Sequence, residues 1–203
     1  MWKLGRDGTQ DDYFGGTVCV GRLACGPLGC VLWFRLMSNT RLPSSIFFSL
    51  ALLGGVQYFY YAPRLSEIVA SHFGRAGSVN RWETKTLFFS LELGIIVLAT
   101  VISFGVPRSI EALPVSMINL PHKEFWLSPE RRDETLGYLQ MHMAWFGCAL
   151  LAFLLFVMEL AFRANLLNPP RLNLAAFVPA LMAFLVFMGI STIRLVVRFS
   201  RLP

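Results

Sequence analysis

Apolar residues along this chain gather in four long runs, 44–62, 86–106, 142–162 and 174–193, separated by shorter polar stretches. A hydrocarbon core about 30 Å thick is crossed by roughly 20 mostly apolar residues at 1.5 Å rise each. Each run therefore has the length of a membrane span. The first and fourth carry no charge and are bounded by arginine; the second contains Glu92 and the third Glu159. A soluble protein with four such core helices would have too little polar sequence left to cover them. The predicted fold class is all-α integral membrane, a four-transmembrane-helix bundle with short loops spanning residues 37–203.

Composition agrees and removes other classes. The 203 residues are 55% hydrophobic and only 15% charged, with mean hydropathy +0.57, where soluble domains carry about 25% charged residues. A disordered chain needs fewer apolar residues and more charge, and a disulfide scaffold far more than four cysteines. Tyr58, Tyr60, Tyr61, Trp82, Trp126 and Trp145 fall near predicted span ends, where an amphipathic ring sits well between lipid and water. Gly54 and Gly55 suit close helix approach, and Pro179 predicts a kink in the fourth span.

Loop cations set orientation. The side holding both termini and the 107–141 loop has Arg41, Arg108, Lys123, Arg131, Arg132, Arg194, Arg198 and Arg201. The other side has Arg64, Arg75, Arg81, Lys85, Arg163 and Arg171. Eight against six predicts both termini on the cytoplasmic side. The net charge of +6 then follows from membrane topology and contact with anionic lipid, and nucleic acid is not expected as a partner.

Residues 1–36 differ from the rest. They hold Cys19, Cys25 and Cys30 and an apolar run broken by Arg22 and Arg35, without the order of a signal peptide. Met37 opens a short polar lead into the first span, so the expectation is a spurious or poorly structured extension, with translation starting at Met37. A weak fifth hydrophobic segment and a cysteine cluster for metal are the rival interpretations; the cysteine spacing matches no common zinc pattern.

Two loops carry motifs. After the first span come Pro63, then His72-Phe73 with Gly77 four residues further, then Trp82 and Lys85 at the mouth of the second span. The later loop reads Asn119-Leu120-Pro121, then Trp126, then Pro129-Glu130-Arg131-Arg132. In this order the two motifs resemble the bacterial membrane family with the domain of unknown function 1648, over about residues 43–165. That domain also forms the front part of SdpI-type immunity and signalling proteins. The resemblance implies a bacterial cytoplasmic-membrane protein with a sensing, binding or immunity-like role at the extracytoplasmic face.

Read from its residues, the first loop is too short to be a domain. Gly74 and Gly77 are turn residues able to fold His72 and Trp82 back onto the membrane surface. Histidine is the residue type most used as a pH switch and a metal ligand, but no second histidine lies on the side of His72. In the second loop Ser128, Pro129, Glu130, Asp133 and Glu134 predict a helix start near 129, well before the lipid. His122 and His142 fall on this face as interfacial residues.

A carboxylate inside a span is expensive, turns toward other helices or water, and is a functional candidate by default. Because spans alternate in direction, Glu92 and Glu159 fall at similar depth beneath the first loop, with His72, Glu83 and Lys85 above and Arg163 one turn beyond Glu159. Three arrangements fit: a polar interhelical lock, a binding or proton-handling pocket, and ends that share no site. The expectation ties both carboxylates to Lys85 or Arg163, with His72 as a further member.

Three functions compete. The leading one is a non-catalytic sensor, binding or immunity-like protein with a membrane-protein or peptide partner. The second is a small transporter or channel subunit that uses Glu92 and Glu159, assembled as an oligomer. An enzyme is third: the sequence has no His-Glu-x-x-His helix, Gly-x-Ser-x-Gly elbow or glycine-rich phosphate loop. No catalytic residue, metal or cofactor is therefore assigned.

Overall fold

A computed structural model describes residues 41–202. The expectations for the 1–36 segment and for a start at Met37 lie outside those residues. The described chain forms α1 (Arg41–Tyr61), β1 (Ile68–Phe73), β2 (Val79–Thr84), α2 (Lys85–Thr100), a π-helical segment (Val101–Gly105) and α3 (Val106–Glu111). Then follow a 3-10 turn (Val115–Met117), α4 (Lys123–Trp126), α5 (Arg132–Asn165) and α6 (Leu174–Ser200). Four helical stretches are long and apolar enough to cross a membrane: α1, the continuous Lys85–Glu111 segment, α5 and α6. The protein is an integral, multi-pass membrane protein with a four-helix membrane domain among the described residues.

Each boundary has a local cause. Pro43 sits in the first turn of α1, where its missing N–H costs nothing, and Pro63 stops that helix by disfavouring helical backbone at the residue before it. Thr84 starts α2 by accepting from the Leu87 N–H at 3.3 Å. The second span is extended past its predicted end through the π-helical segment. There the Val106 N–H reaches Val101 O, five residues back, just ahead of Pro107. A proline ring would otherwise press on the carbonyl four residues before it, so a wider turn at this point lets the helix continue to Glu111.

The start of α5 falls a turn later than expected. Ser128 to Arg131 form a turn in which Ser128 O accepts from the N–H groups of Arg131 and Arg132, at 3.0 and 2.9 Å, and regular helix begins at Arg132. Arg132 takes a different part in the motif. Its guanidinium donates to Glu111 O at 2.9 Å and Leu113 O at 3.0 Å, satisfying carbonyls left open where α3 ends. Ile118, Leu127 and Leu136 pack beneath this loop as a small apolar cluster.

Where turns alone were expected in the first loop, an antiparallel hairpin stands. Its register pairs Ile68 with Thr84, Val69 with Glu83 and Ala70 with Trp82, then shifts so that His72 opposes Arg81. Val69 is fully buried, whereas Ile68 and Trp82 are about half exposed, at 50% and 52%. Of the two turn glycines only Gly77 takes a left-handed conformation, φ 73°. A Cβ there would strike Leu172 O, to which the hairpin turn is tied by a Leu172 N–H to Gly77 O bond of 2.9 Å.

Helices α1 and the second span both pack on α5. Two apolar clusters form between them. One, near the hairpin, contains Tyr61, Leu65, Val69, Phe88, Phe89, Ala161 and Phe162. The other, toward the opposite end, contains Phe47, Ala99, Cys148, Leu151 and Leu155. Gly54 admits Ile96 and Leu155 side chains against its backbone, while Gly55 faces open space. Helix α6 lies chiefly against α5, through Phe153 stacked on Phe184 at 4.5 Å and a Ser191–His142 contact of 3.1 Å. Phe199 is its single buried residue, and there the Trp126 indole N–H donates to Phe199 O at 3.3 Å.

Candidate functional site

The hairpin, the end of α1, the start of α2 and the end of α5 meet at one end of the bundle, and every polar residue singled out beneath the first loop lies there. Glu92 is seven residues past Lys85 and Glu159 six before Asn165, placing them about 10 Å and 9 Å in from their helix ends. The similar depth follows from the alternating direction of the spans. Their surroundings differ.

Glu159 is the centre of a clasp between α1 and α5. Its carboxylate accepts from the Tyr61 hydroxyl at 2.8 Å, from Gln57 Nε2 at 3.0 Å and from Arg163 Nε at 2.7 Å. Gln57 Nε2 also donates to Leu155 O at 3.3 Å. Gln57 and Tyr61 are one helical turn apart, so one face of α1 offers both donors to a single residue of α5. Arg163 is one turn after Glu159 and largely exposed, so it closes the clasp on the wet side. Charge-assisted bonds of this kind are roughly twice as strong as neutral ones.

Glu92 stands apart. It is 4% exposed, its Oε1 has no hydrogen-bond partner, and no ion pair joins it to Lys85, Arg163 or Glu159 among the described residues. Its flanking residues on the same helix face, Phe88 and Phe89, belong to the apolar cluster. Lys85 instead holds Glu67 at 2.8 Å, and Glu83 is paired with Arg81. His72 is exposed on β1, its Nδ1 3.1 Å from Ser71 Oγ. The six residues thus resolve into the Glu159–Arg163 clasp, two surface ion pairs, an exposed imidazole and a lone buried carboxyl.

The motif residues divide in the same way. Pro63 ends α1; Phe73, Gly77 and Trp82 shape the hairpin; Asn119, Leu120 and Pro121 lead into α4, and Trp126 holds the end of α6. Pro129, Glu130 and Arg131 form the turn before α5. The Glu130 carboxyl is held below the usual carboxylate range by hydrogen bonds from its own backbone N–H and from Ser128. Among the described residues no group of three or more His, Cys, Asp or Glu side chains is placed to hold a metal.

Two residues at this end had no part in the expected site. Gln57, an amide in an otherwise apolar run, sits one turn before a tyrosine, a pattern that marks a polar helix face. Asn165 gave no such signal. Its side chain accepts from the Ala70 N–H at 2.6 Å and donates to Ala70 O at 2.9 Å, so it pairs with β1 as a neighbouring strand would. That contact fastens the hairpin to α5.

Fold and site together define a multi-pass membrane protein with a structured hairpin on one face and a polar layer beneath it. Compared with known proteins, the chain matches no family model, no curated protein and no solved structure. The resemblance to the domain of unknown function 1648 accordingly rests on the motif residues alone.

Proposed function

We propose that this is a non-catalytic protein of the bacterial cytoplasmic membrane that binds a membrane-protein or peptide partner through the hairpin face, in the manner of immunity and signalling membrane proteins. On this proposal both termini are cytoplasmic and the hairpin is extracytoplasmic. One observation carries it: the hairpin is fixed to α5 by Asn165 and to the 166–173 loop by Leu172, yet it turns Ile68 and Trp82 outward. A prefixed backbone presenting a large aromatic side chain loses little entropy on association, and tryptophan is enriched among residues that dominate binding energy.

The test places a photoreactive residue at Trp82 or, as a lipid-facing comparison, at Val186 on α6, in the full chain in living cells. A discrete protein adduct from position 82 together with lipid adducts alone from 186 is expected. Lipid adducts alone from both positions would overturn the proposal. In parallel, a cysteine at Ser78 should label from outside intact cells; labelling only after lysis would reverse the orientation.

A further inference from the structure

The contacts between helices fix which residues share a level in the bundle. Tyr58 packs edge-to-face on Phe89 with ring centroids 4.7 Å apart, Gly54 receives Ile96 and Leu155, and Phe88 and Phe89 both meet Phe162. Interpolating along the helices, Gln57 of α1, Glu92 of α2 and Met158–Glu159 of α5 fall in one layer between the two apolar clusters. In this layer Gln57 is 9% and Glu92 4% exposed, and each leaves a buried acceptor oxygen, Gln57 Oε1 and Glu92 Oε1, without a donor. Buried acceptors without donors are uncommon because each forfeits its bond to water.

Neighbouring charges do not compensate Glu92. On α1 the titratable groups nearest this level are Tyr58 and Tyr61, and Tyr61 is committed to Glu159. On α5 they are Glu159 and Arg163, bonded to each other. On α2 and the hairpin Lys85 is paired with Glu67, and Glu83 with Arg81. An ionised carboxylate held here has no counter-charge beside it, a state whose cost neutralisation removes. A proton on Glu92 also turns one donorless oxygen into a donor in a layer that holds a second acceptor.

We propose that Glu92 is a proton-binding site inside the bilayer, a side chain that takes up and releases a proton between the α1, α2 and α5 helices. The proposal is independent of partner binding at the hairpin. It leaves the clasp at Glu159 as the structural element and assigns the neighbouring carboxyl to ligand chemistry.

The experiment uses a lipid-soluble carbodiimide on the full chain in proteoliposomes. A protonated carboxyl adds across one carbon–nitrogen double bond of the reagent: its oxygen bonds to the central carbon and its proton moves to nitrogen. The adduct rearranges to an N-acylurea with nothing leaving, so mass spectrometry finds one added reagent at one residue. Expected is labelling at Glu92 in acidic buffer that falls at least about tenfold in alkaline buffer, since each pH unit beyond a titration point changes the protonated fraction about tenfold. Sodium ions at constant pH should not alter it, and Glu92→Gln, with unfolding followed alongside, should abolish it. Three results would each overturn the proposal: no adduct at Glu92 at any pH, labelling that is constant across the range, or protection by sodium ions, which would make the ligand a metal cation.

Discussion

The clasp around Glu159 offers the clearest energetic test. Tyr61→Phe removes one hydroxyl from a 5% exposed ring and leaves its stacking on Phe162, 4.7 Å between centroids, intact. The lost bond, Tyr61 hydroxyl to Glu159 Oε1 at 2.8 Å, ends on a carboxylate. In soluble proteins such bonds contribute about 1.5–3 kcal/mol, whereas double-mutant cycles between membrane helices average about 0.6 and reach about 1.7. The position near a span end and the charged acceptor favour the upper part of the membrane range. We expect a coupling of about 1 kcal/mol, roughly a fivefold change in the folding equilibrium.

The cycle pairs Tyr61→Phe with Glu159→Met, which keeps length but removes the acceptor. The stranded Gln57 amide is then common to both arms and cancels. Reversible unfolding of the full chain in mixed micelles, followed by circular dichroism, supplies the four free energies. Arg163→Ala should change stability little, because the guanidinium stands in water and gains little from its partner. A Tyr61–Glu159 coupling within the scatter of about 0.3–0.5 kcal/mol seen for additive sites, or a larger loss from Arg163→Ala than from Tyr61→Phe, would refute the assignment of the clasp.

Asn165→Leu should free the hairpin without melting the bundle: exchange of the Ala70 amide hydrogen should accelerate at least about tenfold, the equivalent of about 1.4 kcal/mol, while far-ultraviolet helicity is unchanged. Unaltered exchange would mean that the hairpin is held by other contacts. At Gly147 a Cβ would collide with Ser103 Oγ in the π-helical segment, so Gly147→Val should destabilise by about 1–3 kcal/mol through overpacking. Gly55, which meets nothing within 4 Å, should accept alanine at no cost, and equal melting shifts for the two substitutions would contradict the packing described.

Span length and hydropathy were local quantities, and they placed the four membrane helices, although the second continues to Glu111 and the fourth to Ser200, past their predicted ends. The depth of the two carboxylates was legible for the same reason, since alternating spans and a fixed rise per residue set it. The hairpin was obscured: Ile68 to Phe73 is short, lies close to two glycines, and has a single fully buried valine facing the core. Its stability comes from Asn165 and Leu172, about a hundred residues away in sequence. The late start of α5 follows from the Ser128–Arg131 turn, and the reach of Arg132 back to the end of α3 is a contact with no local signature.

For the polar layer, sequence alone supplied the two carboxylates and their level, though not Gln57, because periodicity and rise are properties of one helix. Only the packed structure decided the partners, because hydrogen bonding acts over about 3 Å and depends on how helices rotate against one another. That rotation gives Glu159 two donors from α1 beside Arg163 of its own helix, and leaves Glu92, at similar depth and on the helix face of Phe88 and Phe89, with Oε1 unpartnered.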